Sequence, residues 1–279
     1  ARTLNFRLAA DELNVTQPSV SHSIKELERF HNVKLFVRQN RGVQLTEAGR
    51  TLYEGVRLAF DRIERDIRTI ASGETHYITV AASTSLSAHW LVPQLHGFQQ
   101  ANPGIRIKVV TTDRDVEPDF DIDMTLWVRP RDFRRKNSWL VCDEIVFPIC
   151  SPLYLGKAKP IASLSDLHDH PLLHSVDQHR KRIGREGWLS EVGAEAPGLV
   201  PSIVFSDYQL AVQAALAGEG IALGWGLTAQ LLLKSHLLVR PVREEVVTGK
   251  AFFVITSEAD EPSEGIRALV QWVVAQANR

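Results

Sequence analysis

The segment Val15-Thr16-Gln17-Pro18-Ser19-Val20-Ser21-His22 decides the fold of the first part of the chain. Thr16 stands where a helix N-cap belongs, and Pro18 falls in the first turn, where its missing N–H costs little. Apolar residues then recur at spacings of four and three, the period of one helix face; they are Val20, Ile24 and Leu27. The sequence therefore predicts an amphipathic helix from Gln17 to Phe30.

The opposite face of this helix is polar in its first turns. It carries Gln17, Ser19, Ser21, His22 and Lys25. Short polar side chains at the start of a second helix are what direct reading of base edges in a DNA major groove requires. A shorter helical pattern begins at Asn5-Phe6, and Asn14-Val15 makes the turn between the two. The pattern predicts a helix-turn-helix whose second helix reads DNA.

A β-hairpin is predicted directly after this helix. Two short apolar runs, at residues 35–37 and 43–45, flank a polar turn that ends in Gly42. Such a hairpin is a wing, with Arg38 and Arg41 on or beside its tip. The alternative is an ordinary three-helix bundle with a solvated hairpin.

Thr46 stands at the N-cap of a long helix that is predicted to end near Ser72-Gly73. Its apolar residues recur at heptad-like spacing; they are Leu52, Val56, Ala59, Ile63 and Ile70. Because the helix is long and joins two domains, we interpret this seam as a dimer interface. The alternative is an amphipathic helix that packs on its own domain.

From Tyr77 onward, β-type runs alternate with helical patterns, which predicts a mainly parallel, doubly wound α/β domain. A first lobe, a second lobe and a return of the chain to the first can be distinguished. The predicted division is a winged helix-turn-helix at 1–45, a linker helix at 46–73 and a two-lobed domain at 74–279, with lobe I at 74–148 and 251–279 and lobe II at 149–250. Because the chain begins inside a helical pattern, we expect its natural N-terminus to be missing.

Charge is divided unevenly along the chain. Residues 1–72 carry 12 Lys and Arg against 9 Asp and Glu, whereas residues 73–279 carry 20 against 24. A basic head on an acidic body favours an anionic partner at the amino-terminal end. No apolar run is long enough for a membrane helix, and two cysteines fit a reducing compartment. We therefore expect a cytoplasmic protein without a membrane partner.

The motifs of the amino-terminal part resemble the DNA-binding signature of the LysR family of transcriptional regulators. The matching residues are Ala9-Ala10, Leu13, the run from Val15 to Ser21, Ile24, Leu27-Glu28, Leu35-Phe36, Arg38, Leu45-Thr46 and Ala48-Gly49. The resemblance implies that base edges are approached by Gln17, Pro18, Ser19 and His22. It also implies that Ser21, Lys25, Arg38 and Arg41 hold phosphates or enter the minor groove.

The remaining chain resembles the effector-binding part of LysR regulators, which has a type-2 periplasmic-binding-protein-like architecture. The matching residues are Trp90-Leu91-Val92-Pro93, Leu95, Phe98, Pro103, Ile105, the run from Pro148 to Pro152, Ala214-Ala215, Ala217-Gly218 and Gly220-Ile221-Ala222. They are most similar to the branch that contains the glycine-cleavage activator and β-lactamase regulators. The resemblance implies a homodimer, assembled as a dimer of dimers on an interrupted palindrome in promoter DNA, with RNA polymerase as a further partner.

One departure from that branch concerns the third strand of lobe I. The branch usually has an Ile-Arg pair there, followed by Gly, whereas this chain has Leu126-Trp127. The identity of the effector therefore does not carry over from other members.

Ligands of two-lobed α/β proteins bind in the crevice at the carboxyl ends of the strands. Ser83-Thr84-Ser85 is predicted at a strand-to-helix turn, where hydroxyl and free N–H groups hold an anion. Other candidates at strand ends are Trp127, His174, Asp207, Tyr208 and Trp225. The three aromatic residues predict a box for an organic cation, with Asp207 as counter-charge; the alternative is that the tryptophans pack the core and Asp207 caps its helix. The expected effector is anionic or zwitterionic.

No catalytic, metal or cofactor motif is predicted. His168, His170, His174 and His179 lie close in sequence, but their spacing is poor for metal ligands, and we expect the first two on a solvated loop. Cys142 and Cys150 are not interpreted as a redox pair, and the glycine-rich stretch from Gly218 to Gly226 lies between a helix and a strand, not between a strand and a helix as a nucleotide-binding motif requires. The leading function is an effector-gated DNA-binding regulator, not an enzyme. The alternative is a solute-binding or enzymatic α/β protein fused to a helical bundle.

Overall fold

The computed structural model describes residues 1–39, 42–72, 77–118, 121–176, 182–194, 203–257 and 261–278. Two compact units divide the chain, Ala1–Thr75 and His76–Arg279. Arg41 lies outside the described residues, as do the side chains of Arg38 and Ile70. No helix within the described ranges is both long and apolar enough to cross a membrane.

The amino-terminal unit is a winged helix-turn-helix followed by a long helix. Its elements are α1 (Phe6–Glu12), α2 (Gln17–Phe30), β1 (Phe36–Gln39), β2 (Gly42–Leu45) and α3 (Glu47–Ser72). Strands β1 and β2 pair antiparallel. Thr16 caps α2 as predicted, because its hydroxyl accepts a hydrogen bond from the Ser19 N–H. Thr46 caps α3 in the same way, through the Gly49 N–H at 2.9 Å.

A buried carboxylate fixes the β1–β2 hairpin to α2. Glu28 of α2 is only 7% exposed, and it accepts hydrogen bonds from the backbone N–H groups of Leu35 at 2.8 Å and Phe36 at 3.2 Å. The Lys34 ammonium lies 2.8 Å from its other oxygen. Burial raises the pKa of Glu28, but the hydrogen bonds from Lys34, Leu35 and Phe36 outweigh it and hold that pKa below its ordinary value.

The carboxyl-terminal unit contains an eight-stranded sheet in the order β4-β3-β5-β10-β6-β9-β7-β8. The strands are β3 (Tyr77–Ala82), β4 (Arg106–Thr111), β5 (Met124–Pro130), β6 (Ser138–Ile149), β7 (Leu172–Ser175), β8 (Ile203–Phe205), β9 (Ile221–Trp225) and β10 (Val246–Thr256). The prediction of a mainly parallel sheet is wrong at its centre. There β10 pairs antiparallel with both β5 and β6, and β6 pairs antiparallel with β9, while the outer pairs are parallel.

Helices cover this sheet and complete its two lobes. They are α4 (Thr84–Leu86), a π-helical turn (Ser87–Leu91), α5 (Val92–Ala101), α6 (Pro152–Leu155), a 3-10 helix (Leu164–Asp169), α7 (Arg185–Glu191), α8 (Tyr208–Ala217), α9 (Gly226–Lys234) and α10 (Glu264–Ala277). The first lobe packs around Trp90, Phe98, Leu126 and Leu269. The second lobe packs around two neighbouring clusters, which include Trp188 and Trp225 in one and Phe147 and Val212 in the other.

Strands β6 and β10 pass from one lobe to the other. Val141 of β6 and Phe252 of β10 belong to the first-lobe core, whereas Val146 and Val246 on the same strands belong to the second-lobe core. We call β6 and β10 the crossover strands. Their pairing therefore joins the two lobes.

We expect Glu28→Leu to loosen the wing. The substitution leaves the buried N–H groups of Leu35 and Phe36 without acceptors, at a cost of about 2–4 kcal/mol in local opening free energy. Native-state hydrogen exchange at these two amides measures this change. The control Lys34→Ala removes only a well-exposed ion-pair partner and is expected to cost less than about 1 kcal/mol.

The contribution of Glu28 also depends on pH. Because its pKa is lower in the folded protein than in the unfolded chain, its stabilisation is fully present above the unfolded value and is lost as pH falls toward the folded value. Equal protection of Leu35 and Phe36 in the wild type and Glu28→Leu at neutral pH would contradict this account.

Candidate functional site

The predicted DNA-reading residues lie on the outer face of α2. Thr16, Gln17, Pro18, Ser19, His22 and Lys25 are exposed, and Ser21 is half-buried. The Thr16 and Ser19 hydroxyl oxygens are 2.8 Å apart, so these two side chains form the helix cap together. Gln17, His22 and Lys25 therefore present their polar ends outward beside a rigid helix start.

The predicted seam of α3 is an exposed apolar face. The exposed fractions are 39% for Leu52, 44% for Val56 and 50% for Ile63, and Ala59 is also exposed. Phe60, at 61%, and Ile67, at 58%, widen this face and were missed by the sequence analysis. Phe60 and Ile67 are seven residues apart, a heptad spacing that could have identified them from the sequence.

A cavity of about 640 Å³ lies in the carboxyl-terminal unit. Most of its walls come from the second lobe, and the first lobe contributes Ser85 and Asp113. Of the predicted effector residues, it is lined by Ser85, His174, Asp207, Tyr208 and Trp225. The structure thus brings together five of the eight: Ser85 follows β3, and the other four lie at the carboxyl ends of β7, β8 and β9.

The Ser83-Thr84-Ser85 turn reaches the cavity through its last residue. Ser83 caps α4, and its hydroxyl accepts a hydrogen bond from the Leu86 N–H at 3.4 Å. The Thr84 hydroxyl donates to the Asp113 carboxylate at 3.5 Å, and Ser85 is buried in the lining. Asp113 therefore places a negative charge beside this turn, where the sequence predicted a binding site for an anion.

Tyr208 and Trp225 form one aromatic wall of the cavity. Their rings meet edge to face with centroids 4.6 Å apart, and the Tyr208 hydroxyl accepts a hydrogen bond from the Trp225 backbone N–H. Burial raises the pKa of Tyr208, so the phenol stays neutral. The Arg182 guanidinium lies 5.1 Å from the centroid of the Trp225 ring. A cation of the protein already occupies this position, and Asp207 caps α8, where its carboxylate accepts a hydrogen bond from the Gln209 N–H at 2.6 Å. Both observations disfavour the predicted box for an organic cation with Asp207 as its counter-charge.

The prediction that Trp127 joins this wall is wrong. Its side chain is 2% exposed and does not line the described cavity. Trp127 stands opposite Phe253 on β10, and its indole N–H donates to the Val116 carbonyl at 2.9 Å. Alternation along β5 turns the ring away from the first-lobe core that Leu126 enters, toward the loop after β4.

Trp127 instead helps to hold the segment that carries Asp113. Two residues further along β5, the Arg129 guanidinium contacts the Asp115 carboxylate at 2.8 Å and the Glu117 carboxylate at 3.2 Å. Together these contacts fix the segment after β4 on both sides of Val116. They place Asp113 in the lining, although Trp127 itself does not reach it.

Seven polar or aromatic lining residues were not among the predicted ones: Asp113, His168, Ser175, Arg182, Arg185, Trp188 and Ser206. Asp113 follows β4 at its carboxyl end, which is where ligand-binding residues collect in such sheets. Trp188 donates its indole N–H to the Val146 carbonyl at 2.9 Å. The lining thus holds two arginines and two aspartates, beside the histidines His168 and His174.

The histidines and cysteines have structural surroundings. His170 is buried rather than on a solvated loop, and its Nδ1 lies 2.7 Å from the Tyr154 hydroxyl oxygen. His179 lies outside the described residues, among which no group of three metal-ligand side chains occurs. Burial raises the pKa of both Cys142 and Cys150 to about 12, so both remain thiols.

Comparison with protein families identifies both units. The family model of the LysR substrate binding domain matches residues 71–278, and that of the bacterial regulatory helix-turn-helix protein, lysR family, matches residues 1–50.

The chain belongs to the LysR family of transcriptional regulators.

Its similarity to individual LysR regulators extends over nearly the whole chain. The glycine cleavage system transcriptional activator of Escherichia coli K12 is 32% identical over 279 residues, which cover 99% of this chain and 90% of the relative. The transcriptional activator AmpR of Citrobacter freundii is 26% identical, with 98% and 92% covered. These relatives confirm the branch that the sequence motifs resemble, and they are regulators rather than enzymes.

The fold of the carboxyl-terminal unit also matches solved LysR effector domains. The effector domain of the transcriptional regulator AmpR of Pseudomonas aeruginosa superposes with a TM-score of 0.57 at 23% identity, covering 73% of this chain and 96% of that domain. The two-lobed effector-domain architecture predicted from the sequence is thereby confirmed.

Proposed function

We propose that this LysR regulator reads promoter DNA with the start of α2 and is gated by a small zwitterion in the cavity of its effector domain. The observation that carries the proposal is the lining of that cavity, where Asp113 and Asp207 stand with Arg182 and Arg185 among apolar walls. A cavity of about 640 Å³ lies within the usual range for sites of small ligands.

Both charge signs in one cavity select against ligands with a single charge. A simple anion is repelled by Asp113 and Asp207, and a simple cation is repelled by Arg182 and Arg185. A ligand with an ammonium and a carboxylate group satisfies both sets. The apolar walls, which include Leu173, Ile183 and Ile221, favour an apolar substituent between or beside its charged ends.

The DNA-binding part of the proposal assigns two kinds of contact. Gln17, Pro18, Ser19 and His22 approach base edges, and Ser21, Lys25, Arg38 and Arg41 contact the DNA backbone or the minor groove. The exposure of the described side chains at the rigid start of α2 supports this division. The operator is an interrupted palindrome, which a symmetric dimer matches with two recognition helices.

Dimerisation is assigned to the exposed apolar face of α3. A face that includes Leu52, Val56, Ala59, Ile63 and the sequence position of Ile70 is costly in water and is expected to be covered by the same helix of a second copy. Association of two such dimers into a tetramer, contact with RNA polymerase and action in the cytoplasm complete the proposal. The two cysteines, free and thiol, support a reducing compartment.

We expect substitutions in α2 to separate base reading from backbone contact. Gln17→Ala should lower affinity for the selected operator by about 1–3 kcal/mol and relax its sequence preference, because amide groups pair with base edges. Lys25→Ala should weaken binding to operator and random DNA equally and reduce the salt dependence, because it releases fewer counterions. Gel shifts over a range of salt concentrations measure both; equal losses on the two DNAs for Gln17→Ala would contradict the assignment.

The α3 face is tested by introducing charge. Val56→Asp and Ile63→Asp should separate the α3 pair and lower the mass of the assembly, since each variant buries a carboxylate that nothing on a symmetric partner can pair. Sedimentation equilibrium measures the mass. Thr51→Asp adds the same charge one residue before Leu52, outside the apolar face, and is the matched control. The wild-type mass for all three variants would assign α3 to its own unit.

The ligand class is tested by calorimetry with matched compounds. Each free amino acid of a panel is compared with its N-acetyl and amide forms, which lack one charge. We expect binding only by compounds that carry both charges, with a loss of about tenfold or more on removing either one. Asp113→Asn should abolish the penalty for N-acetylation, and Arg182→Gln the penalty for amidation. Equal binding of the free and N-acetylated compounds would exclude a zwitterion.

A further inference from the structure

Glu144 is a buried carboxylate between the cavity wall and the crossover strands. It lies on β6 and is 4% exposed. One of its oxygens accepts a hydrogen bond from the Trp225 indole N–H at 3.0 Å, and the other accepts one from the Thr248 hydroxyl at 2.5 Å. Because a buried carboxylate needs its donors, Trp225 and Thr248 are both held to Glu144.

Glu144 stands where the crossover strands lose their register. Val247 pairs with Ile145 and Ala251 pairs with Asp143, so Thr248, Gly249 and Lys250 all lie opposite Glu144 alone. Gly249 has a φ of 74°, in the left-handed region that favours glycine. Such an irregularity interrupts the ladder and bends the strand. The ladder that joins the lobes is therefore interrupted beside Glu144, with a second register shift further along between Phe252 and Phe253.

Trp225 connects this junction to the cavity. Its ring lines the cavity, contacts Tyr208 and lies beneath Arg182, while its indole N–H points the other way, to Glu144. A molecule that displaces Arg182 or presses on this ring changes the position of the indole. Such a change reaches the Thr248 hydroxyl through Glu144, because the same carboxylate accepts hydrogen bonds from both side chains.

We propose that Glu144 is a positioning residue that couples the Trp225 wall of the cavity to the crossover strands at Thr248. The inference rests on the proposed function, because it supplies the route by which an occupied cavity changes the angle between the lobes. Glu144 does not line the described cavity, so it acts through Trp225. Trp188 does not provide the same link between the lobes, because its indole N–H donates to the Val146 carbonyl within the second lobe.

The first experiment observes Trp225 while Thr248 is changed. The chain has six tryptophans, and in the ¹⁵N-tryptophan-labelled full-length protein the indole signal of Trp225 is assigned by its loss in Trp225→Phe. Thr248→Val removes the hydroxyl that bonds Glu144 but keeps the side-chain shape. We expect it to move the Trp225 signal by more than a linewidth, and Thr248→Ser to leave the signal in place.

A matched control lies on the same strand. Thr256 is 2% exposed, and its hydroxyl has no hydrogen-bond partner among the described residues. Thr256→Val therefore removes a buried hydroxyl from β10 without touching Glu144, and the Trp225 signal should not move. A Trp225 signal that is unchanged in Thr248→Val, or that moves equally in Thr256→Val, overturns the proposal.

The second experiment fills the cavity without an effector. Ser206 is exposed and lines the cavity, so Ser206→Cys can be labelled there with a bulky methanethiosulfonate reagent. The pKa of about 12 keeps the buried Cys150 and the partly buried Cys142 unreactive. We expect labelling to change hydrogen exchange at residues 246–250 by about threefold or more, because local opening there depends on the Glu144 contacts.

The response should vanish when the connection is cut at either end. Thr248→Val or Trp225→Phe, each in the Ser206→Cys background, should abolish the change at residues 246–250, and Thr256→Val should retain it. The inference is overturned if labelling leaves hydrogen exchange at residues 246–250 unchanged in Ser206→Cys alone. It is also overturned if labelling changes that exchange equally when Thr248→Val is added. Because the test uses no effector, its result is separate from the amino-acid panel, whose failure would contradict only the proposed ligand.

Discussion

The antiparallel pairing of β6 with β10 is the constraint on which the carboxyl-terminal unit depends. These two strands supply residues to the cores of both lobes, so neither lobe can move without changing their ladder. The cavity takes Ser85 and Asp113 from one lobe and most of its wall from the other. Its shape is therefore set by the angle at which the crossover strands hold the two halves.

The parts of the structure that local pattern determines were predictable from the sequence. Thr16 and Thr46 cap the helices that they were predicted to cap, since an N-cap depends on residues only three positions away. The spacing of Leu52, Val56 and Ile63 likewise identified the apolar face of α3. In the same way, Ser85, Asp207 and Trp225 were found because strand ends in α/β folds collect at one edge.

The parts that depend on tertiary contacts were not predictable in this way. Trp127 was misplaced because a shift of one position along a strand moves a side chain to the opposite face of the sheet. The hydrogen bond of its indole N–H to the Val116 carbonyl could not be predicted from the local sequence pattern. Asp113 was overlooked because its place in the cavity depends on the path of the segment that follows β4, which Trp127 and Arg129 contact. The share of parallel strand pairs was overestimated because β10 pairs antiparallel with β5 and β6, which are far from it in sequence.

The mixed lining of the cavity has a consequence for how the two ends of this LysR regulator respond to ionic strength. With two arginines and two aspartates, the ionised groups of the wall cancel at a distance, so the cavity exerts little long-range attraction on a dipolar ligand. DNA binding through a basic surface is the opposite case, because it releases counterions and weakens steeply with salt. Under the proposed function, an osmotic shift in the cell would therefore weaken binding to the operator and leave binding of the effector almost unchanged. Occupancy of the promoter then reports salt and metabolite as two separate inputs.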